Sequence, residues 1–227
     1  MLDNVKSKYI LIEIFENIRN RRKLKIIKYN KIIKVKLNIN EEDYKTYITL
    51  KEFNNIYNEN IEDIDIKELI LSNRGIENKA LKVLSKIKFK GLNILDLSHN
   101  KISDANFLEK IDFDQLKKLN LNFNYISDIN IFEKVNLKEL EILYLNNNKI
   151  SDISILNKVY FKQLKELNLS SNEISDISIL EKVNFKQLEE LYLGANKISD
   201  IDILEKVEFI KLKILDLSKN KISDINI

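Results

Sequence analysis

The sequence predicts an α/β solenoid with a helical segment at its N-terminal end, and three observations predict it. A 24-residue unit starts at Leu92, Leu116, Leu140, Leu164, Leu188 and Leu212 with no insertion between copies. A fixed period in this range marks stacked structural units, each burying its apolar side against the next. Within every unit an L-x-x-L-x-L segment alternates as a half-buried strand does. After that segment, a polar residue followed three positions later by Glu marks the start of a short helix in four of the five complete units.

Taken in order, residues 5–37 read as two helices that break near Asn20. Tyr9-Ile10, Ile14 and Ile18 recur at helical spacing, and so, less regularly, do Leu24, Ile27, Ile32 and Val35. From Lys6 to Lys36 there are eleven Lys or Arg against Glu13 and Glu16, an excess of nine positive charges. A third short helix is expected near Glu41–Ile48. No Pro-, Gly- or Ser-rich linker separates residues 1–65 from the repeats, so this region is expected to dock on them as a helical cap. A basic stretch of this kind also suits an acidic protein partner; membrane and nucleic acid are weaker readings.

Residues 66–227 form the repeat domain. Residues 66–91 are an atypical first unit in which Leu69, Leu71 and Ile76 keep the pattern and Arg74 stands where later units have Asn. Five complete units span 92–211, and a partial unit spans 212–227. In LEELYLGANKISDIDILEKVEFIK, alternation sends Leu191 and Leu193 inward and leaves Glu190 and Tyr192 outward. The Asn column at 100, 124, 148, 172, 196 and 220 has the donors and acceptors to satisfy buried backbone between units. Ile198 and Ile201 return to the core. Asn106, Asn130, Ser154, Ser178, Asp202 and Asn226 share a column and read as N-caps. A helical turn such as Ile203–Val207 should follow, with Leu204 and Val207 inward beside Phe209. Phe89, Phe113, Leu137, Phe161, Phe185 and Phe209 read as a core spine. The last unit carries no polar cap after Leu215, Leu217, Ile222 and Ile225. The expectation is that the chain continues or that something covers this end, a second copy of the chain being one candidate.

The pattern L-x-x-L-x-L-x-x-N-x-I-S-D resembles the leucine-rich repeat, of the type found in internalins and phosphatase-1 regulators. The resemblance implies a curved parallel sheet on the concave face and short helices on the convex face. It also implies a protein-interaction scaffold rather than an enzyme. The segment Tyr9-Ile10-Leu11-Ile12-Glu13-Ile14-Phe15-Glu16-Asn17-Ile18 is similar to the first helix of an F-box, with Lys6-Ser7 in place of the usual Leu-Pro. That second resemblance implies a substrate receptor of a ubiquitin ligase, whose adaptor protein would be met by residues 5–37. A third reading, an internalin-like bacterial adhesin, would call for a signal peptide or wall anchor, and neither is seen.

Composition narrows the function classes. Without cysteine there is no disulfide, thiolate nucleophile or Cys-based zinc site. The start lacks the apolar segment of a signal peptide, and no run is long enough to span a bilayer, so a cytoplasmic protein is expected. No phosphate loop, H-E-x-x-H or G-x-S-x-G is present, and no catalytic residue, cofactor, small-molecule substrate or metal is expected. His99, the one histidine, falls on a strand-to-loop turn and reads as an exposed polar residue. Asp104, Asp128, Asp152, Asp176, Asp200 and Asp224 follow a serine in every unit. A Ca²⁺ ladder is the sharper idea, but the neighbouring helix start favours oxygens that meet backbone N–H groups.

Function is expected on the outward strand positions. One column runs Glu68, Ile94, Lys118, Ile142, Glu166, Glu190, Ile214; the other runs Ile70, Asp96, Asn120, Tyr144, Asn168, Tyr192, Asp216. Core and turn positions barely change between units, whereas these positions do. Exposed Ile and Tyr beside charges are the composition of interface hot spots. The candidate partner-binding set is Ile94, Asp96, Lys118, Phe123, Ile142, Tyr144, Glu166, Asn168, Glu190, Tyr192, Ile214 and Asp216. Its centre is Tyr144, Ile142, Tyr192 and Glu190. Rows of a parallel sheet lie about 4.8 Å apart, which puts Tyr144 and Tyr192 about 10 Å from each other across Asn168. Phe123 and Ile142 are expected to adjoin Tyr144.

Overall fold

The computed structural model describes residues 41–57 (side chains for 48–56), 66–87, 89, 91–111 and 113–223. Each unit contributes one short strand, and the seven strands form a single parallel sheet in sequence order: β1 (Glu68–Ile70), β2 (Ile94–Asp96), β3 (Lys118–Asn120), β4 (Ile142–Tyr144), β5 (Glu166–Asn168), β6 (Glu190–Tyr192) and β7 (Ile214–Asp216). Every neighbouring pair is in the register of the repeat, so that Ile142 lies beside Lys118 and Glu166, and Tyr144 beside Asn120 and Asn168. A constant period allows no other result, because a slip would move the leucines off the core face.

The return legs are 3-10 turns rather than α-helical ones: η1 (Asn106–Lys110), η2 (Asn130–Glu133), η3 (Ser154–Asn157), η4 (Ser178–Lys182) and η5 (Asp202–Lys206). A segment of four or five residues closes too few α-type bonds to hold that geometry, and the tighter i to i+3 pattern suits short pieces. The first unit differs, with a true helix α2 (Asn78–Leu84) on its return leg. Before it, α1 (Glu41–Tyr57) is a helix of 17 residues, about twice the expected span. It packs against α2 and buries Leu50 and Phe53. The other cap helices and the F-box-like segment at residues 5–37 lie outside the described residues.

Between sheet and turns runs one apolar core. Leu95, Leu119, Leu143, Leu167 and Leu191 are fully buried, as are Leu97, Leu121, Leu145, Leu169 and Leu193. The aromatic spine is buried from Phe89 to Phe185, with Phe161 and Phe185 stacked at 6.1 Å between ring centroids. Phe209 at its far end is only partly covered. One core column is not evident from the sequence pattern: Phe107, Ile131 and Ile155, with Ile179 and Ile203 partly buried beyond them.

The asparagine column does what its chemistry suggests. Asn148 Nδ2 donates to the carbonyls of Leu145 in its own unit and Leu121 in the one before, both at 3.0 Å, while its Oδ1 accepts from the N–H of Ile126 at 3.0 Å. Asn124, Asn172, Asn196 and Asn220 repeat the three contacts. One side chain per unit thus ties two units together where the strand ladder has ended.

The N-cap column is a correction. Asn106, Asn130, Ser154, Ser178 and Asp202 are the first residues of their turns, and the preceding Ala105, Ile129, Ile153, Ile177 and Ile201 hold the cap position without a side-chain bond. The capping acceptor is instead the Asp two residues before each turn. Asp152 Oδ1 accepts from Ser154 N–H at 2.7 Å, and Asp104, Asp128, Asp176 and Asp200 do the same in their units. The short aspartate side chain closes an i to i+2 ring that needs no helix to lean on. These bonds hold the Asp152 and Asp176 carboxyls below the usual range, the backbone N–H of the following serine being the main cause. Among the described residues no cluster suited to a metal ion is found. No helix among them is long and apolar enough to cross a membrane.

Candidate functional site

The strand positions that face away from the core are the candidate site. In β2 to β6 the central leucine is buried and its two neighbours are half-buried. The expected outward residues are therefore not free-standing. Ile94, Asp96, Lys118, Ile142, Glu166, Asn168, Glu190, Tyr192, Asp216 and Tyr144 all have this half-covered character, whereas Ile214 on β7 is exposed. Asn168 separates Tyr144 from Tyr192 in a single row order, Tyr144 to Asn168 to Tyr192.

Contacts along these columns run both between units and within one. Tyr144 O–H donates to Glu166 Oε2 at 3.0 Å, and Lys118 Nζ lies 4.9 Å from the centroid of the Tyr144 ring. Tyr192 O–H donates to Glu190 Oε2 at 2.6 Å. Both phenols are pushed up to about 12. For Tyr144 the first cause is burial, followed by the hydrogen bond to Glu166; for Tyr192 it is the bond to Glu190, followed by burial. The tyrosines therefore stay neutral at any physiological pH, as donors to carboxylates and as flat apolar rings to a ligand. At the N-terminal edge, Asp96 Oδ2 accepts from Asn120 Nδ2 at 3.0 Å, which links β2 to β3.

Phe123 is placed differently from the rest. It stands three residues beyond β3 in the strand-exit turn, at φ 53°, in the left-handed region that a bulky residue rarely adopts. His99, Asn147, Ser171, Ala195 and Lys219 occupy the same conformation in their units. The turn thus demands a positive φ once per repeat and accepts it from non-glycine residues, held by bonds such as Phe123 N–H to the Asn146 carbonyl at 3.0 Å. The column brings the Phe123 ring onto that of His99, stacked at 4.1 Å with 12° between planes. This aromatic pair was not expected from the sequence. Its signal was the 24-residue offset between His99 and Phe123.

A ladder of opposite charges borders the strand entrances. Lys117, Glu141, Lys165, Glu189 and Lys213 alternate in one column. Glu141 meets Lys117 at 3.2 Å and Lys165 at 2.6 Å, and Glu189 meets Lys213 at 2.6 Å. These exposed pairs add little stability singly. Their effect on the site is to occupy the nearest lysines.

Family models for leucine-rich repeats match residues 114–158 and 162–206 as two-copy blocks, and residues 92–105 and 210–225 as single repeats. The chain is a leucine-rich repeat protein. Comparison with curated proteins finds no match. Solved leucine-rich repeat structures share the fold. Internalin C2 of Listeria monocytogenes is 23% identical with a TM-score of 0.52, over 78% of this chain and 85% of that one. A leucine-rich repeat protein of Leptospira interrogans is 23% identical with a TM-score of 0.54, over 70% of this chain and 44% of that one. The ectodomain of the Arabidopsis thaliana receptor kinase GASSHO1/SCHENGEN3, solved in complex with Casparian strip integrity factor 2, is 20% identical with a TM-score of 0.53, over 70% of this chain and 19% of that one. The chain thus spans less than half the length of the last two. Solenoids of stacked repeats curve and so offer an extended concave surface.

Proposed function

We propose that this leucine-rich repeat protein is a non-enzymatic scaffold that binds a protein or peptide on its concave sheet, with Tyr144, Ile142, Tyr192 and Glu190 at the centre. The carrying observation is the contrast within each repeat. Leucine, asparagine and aspartate columns are accounted for by core packing, carbonyl bridging and turn capping, and Asp96, Asn120, Asn168 and Asp216 on the strands also accept from the N–H two residues on. Tyr144, Tyr192 and the outward column from Ile94 to Ile214 serve none of these needs. The strands hold half-buried tyrosines on rigid backbone, which suits hot spots because such rings lose little freedom on binding. The ligand-bound receptor-kinase ectodomain, at its low identity, lends the reading support as an example of the fold with a partner.

The test is the double substitution Tyr144→Ala with Tyr192→Ala in the full chain. Cross-linked capture from the source cell is expected to lose the partners held by the unaltered protein, with the thermal unfolding midpoint nearly unchanged. Undiminished capture by the double variant would remove the concave tyrosines from the site.

A further inference from the structure

Tyr144 and Tyr192 occupy one column and each hydroxyl meets a glutamate, yet among the described residues only Tyr144 has a cation at its ring. Tyr144 has an ammonium at its ring face: Lys118, the first residue of the row before it, lies with Nζ 4.9 Å from the centroid. The corresponding position in the row before Tyr192 is Glu166. Where Tyr144 has a cation, Tyr192 has a carboxylate, and among the described residues no cation lies over its ring.

The rows β5 to β7 present Glu166, Asn168, Glu190, Tyr192, Ile214 and Asp216 outward, with three carboxylates and no lysine or arginine. Lys165 and Lys213, the nearest column of cations, are drawn to the strand entrances by Glu141 and Glu189. Lys219, in the strand-exit turn, is the cation whose charge reaches Asp216. Gly194 adds a second feature. Ser98, Asn122, Asn146, Ser170 and Ser218 fill its column in other units, but a Cβ here would stand 2.6 Å from Asp216 Oδ2. The missing side chain leaves the Asp216 carboxylate room in the row beside Tyr192. Glu190, Glu166 and Asp216 all act on the Tyr192 hydroxyl.

Resting on the concave-face reading above, we infer that rows β5 to β7 receive a guanidinium or ammonium side chain from an extended segment of a protein partner, seated on the Tyr192 ring among Glu166, Glu190 and Asp216. A cation there gains ring attraction and carboxylate pairing together. It also restores at Tyr192 the arrangement that Lys118 supplies to Tyr144 within the chain. Charge complementarity of this kind selects partners and weakens with salt.

Short random peptides displayed on phage and selected on the immobilised full chain provide the test. The selected peptides are expected to share one Arg or Lys. Replacing an Arg by citrulline, or a Lys by norleucine, should weaken binding about tenfold or more by fluorescence anisotropy. Glu166→Gln with Glu190→Gln should weaken the charged peptide to a similar degree and leave the neutral analogue unaffected. Whether Arg or Lys dominates distinguishes the two sources of the charge. Peptides that require Tyr144 and Tyr192 but tolerate the neutral replacement would overturn this inference and leave the concave-face reading standing. Peptides indifferent to Tyr192→Ala, or a selection that yields none, would overturn it too; the capture experiment tests protein binding separately. A synthetic peptide of residues 1–40 that displaces the selected peptides would reassign the occupant to the chain's own basic segment, and the partner assignment would fall.

Discussion

The two ends of the repeat array are built from the same motif and meet their surroundings differently. At the first unit, α1 lies on α2, Phe53 is buried completely, and Leu69 and Leu71 of the first strand segment are buried like those of the interior. At the last described unit, Leu215 is 37% exposed, although its counterpart Leu191 one row earlier is 0% exposed. Ile210 stands 78% exposed in a column that holds Asp114, Lys138, Lys162 and Lys186 in the earlier units. The lesson is that burial in a solenoid belongs to the neighbour, not to the residue. A leucine at the right position is only half of a core contact, and the next unit or a cap is the other half.

The largest effect expected from this contrast is in the core. Phe53→Ala should cost about 3–5 kcal/mol and Leu191→Ala about 2–5 kcal/mol, measured by urea unfolding, because each empties a site with no water access. Leu215→Ala should cost clearly less than Leu191→Ala, since part of its side chain already meets solvent. Equal losses at the two leucines would break the comparison.

A smaller effect is expected in the asparagine ladder. Asn148→Ala leaves the carbonyls of Leu121 and Leu145 and the N–H of Ile126 without their partner. An unpaired buried polar group costs about 1–3 kcal/mol, and because these contacts are part-buried the loss should fall within that range rather than above it. Asn220→Ala removes the same contacts, but its further bond to the Ser218 carbonyl is exposed where that of Asn148 to Asn146 is part-buried, and its cost should be smaller. Amide hydrogen exchange offers a second reading: Ile126 should lose protection in the first variant more than Ile198 does in the second.

The smallest effect is one on which the interior and the last described unit should agree. Asp152 and Asp176 in the interior and Asp216 at the open end are all held below the usual carboxyl range by a serine two residues on; for Asp216 the Ser218 hydroxyl is the leading cause. A depressed folded pKa stabilises the fold above the unfolded value, about 3.9 for Asp, and that contribution disappears as pH falls through the folded pKa. Replacing Asp152 or Asp176 with Asn should therefore flatten the acid limb of the stability curve, by well under about 1 kcal/mol because the groups are exposed. Carbon-13 titration should find all three midpoints below about 3.9. A normal midpoint for Asp216 alone would mean that the open end frays even within its own turn.

Much of this architecture is legible in the chain itself. The period sets the unit boundaries, and Leu188, Leu191 and Leu193 mark the strand and its inward face. The asparagine column announces its own hydrogen bonds, because an amide is the side chain that can bridge a carbonyl and an N–H at once. Asp104 and its equivalents read as backbone acceptors, and they are. The cap position does not follow from the sequence, because Asn106 and Ser154 are good N-caps in a long helix. In a turn of four residues the aspartate two places earlier reaches the N–H first. At the candidate site, alternation places Tyr144 and Tyr192, but it does not reveal the Lys118, Tyr144 and Glu166 chain of contacts. Those residues are 22 to 26 positions apart in sequence, and side-chain torsions decide which of several neighbours a long side chain meets. The left-handed turn at His99 and Phe123 is equally hidden, since its column holds Phe, Ser, Ala and Lys as well as the His and Asn that tolerate that conformation.

By itself the sequence determined the repeat, its register and the division between positions that build and positions that face outward, since a strict period constrains every row alike. Only the tertiary structure decided how far each outward residue is covered, which carboxylates the tyrosine hydroxyls bind, and that Tyr144 has a cation at its ring whereas Tyr192 has carboxylates. Most of these properties arise between units, and the Tyr192 to Glu190 bond arises from side-chain torsions within one; a one-dimensional pattern contains neither.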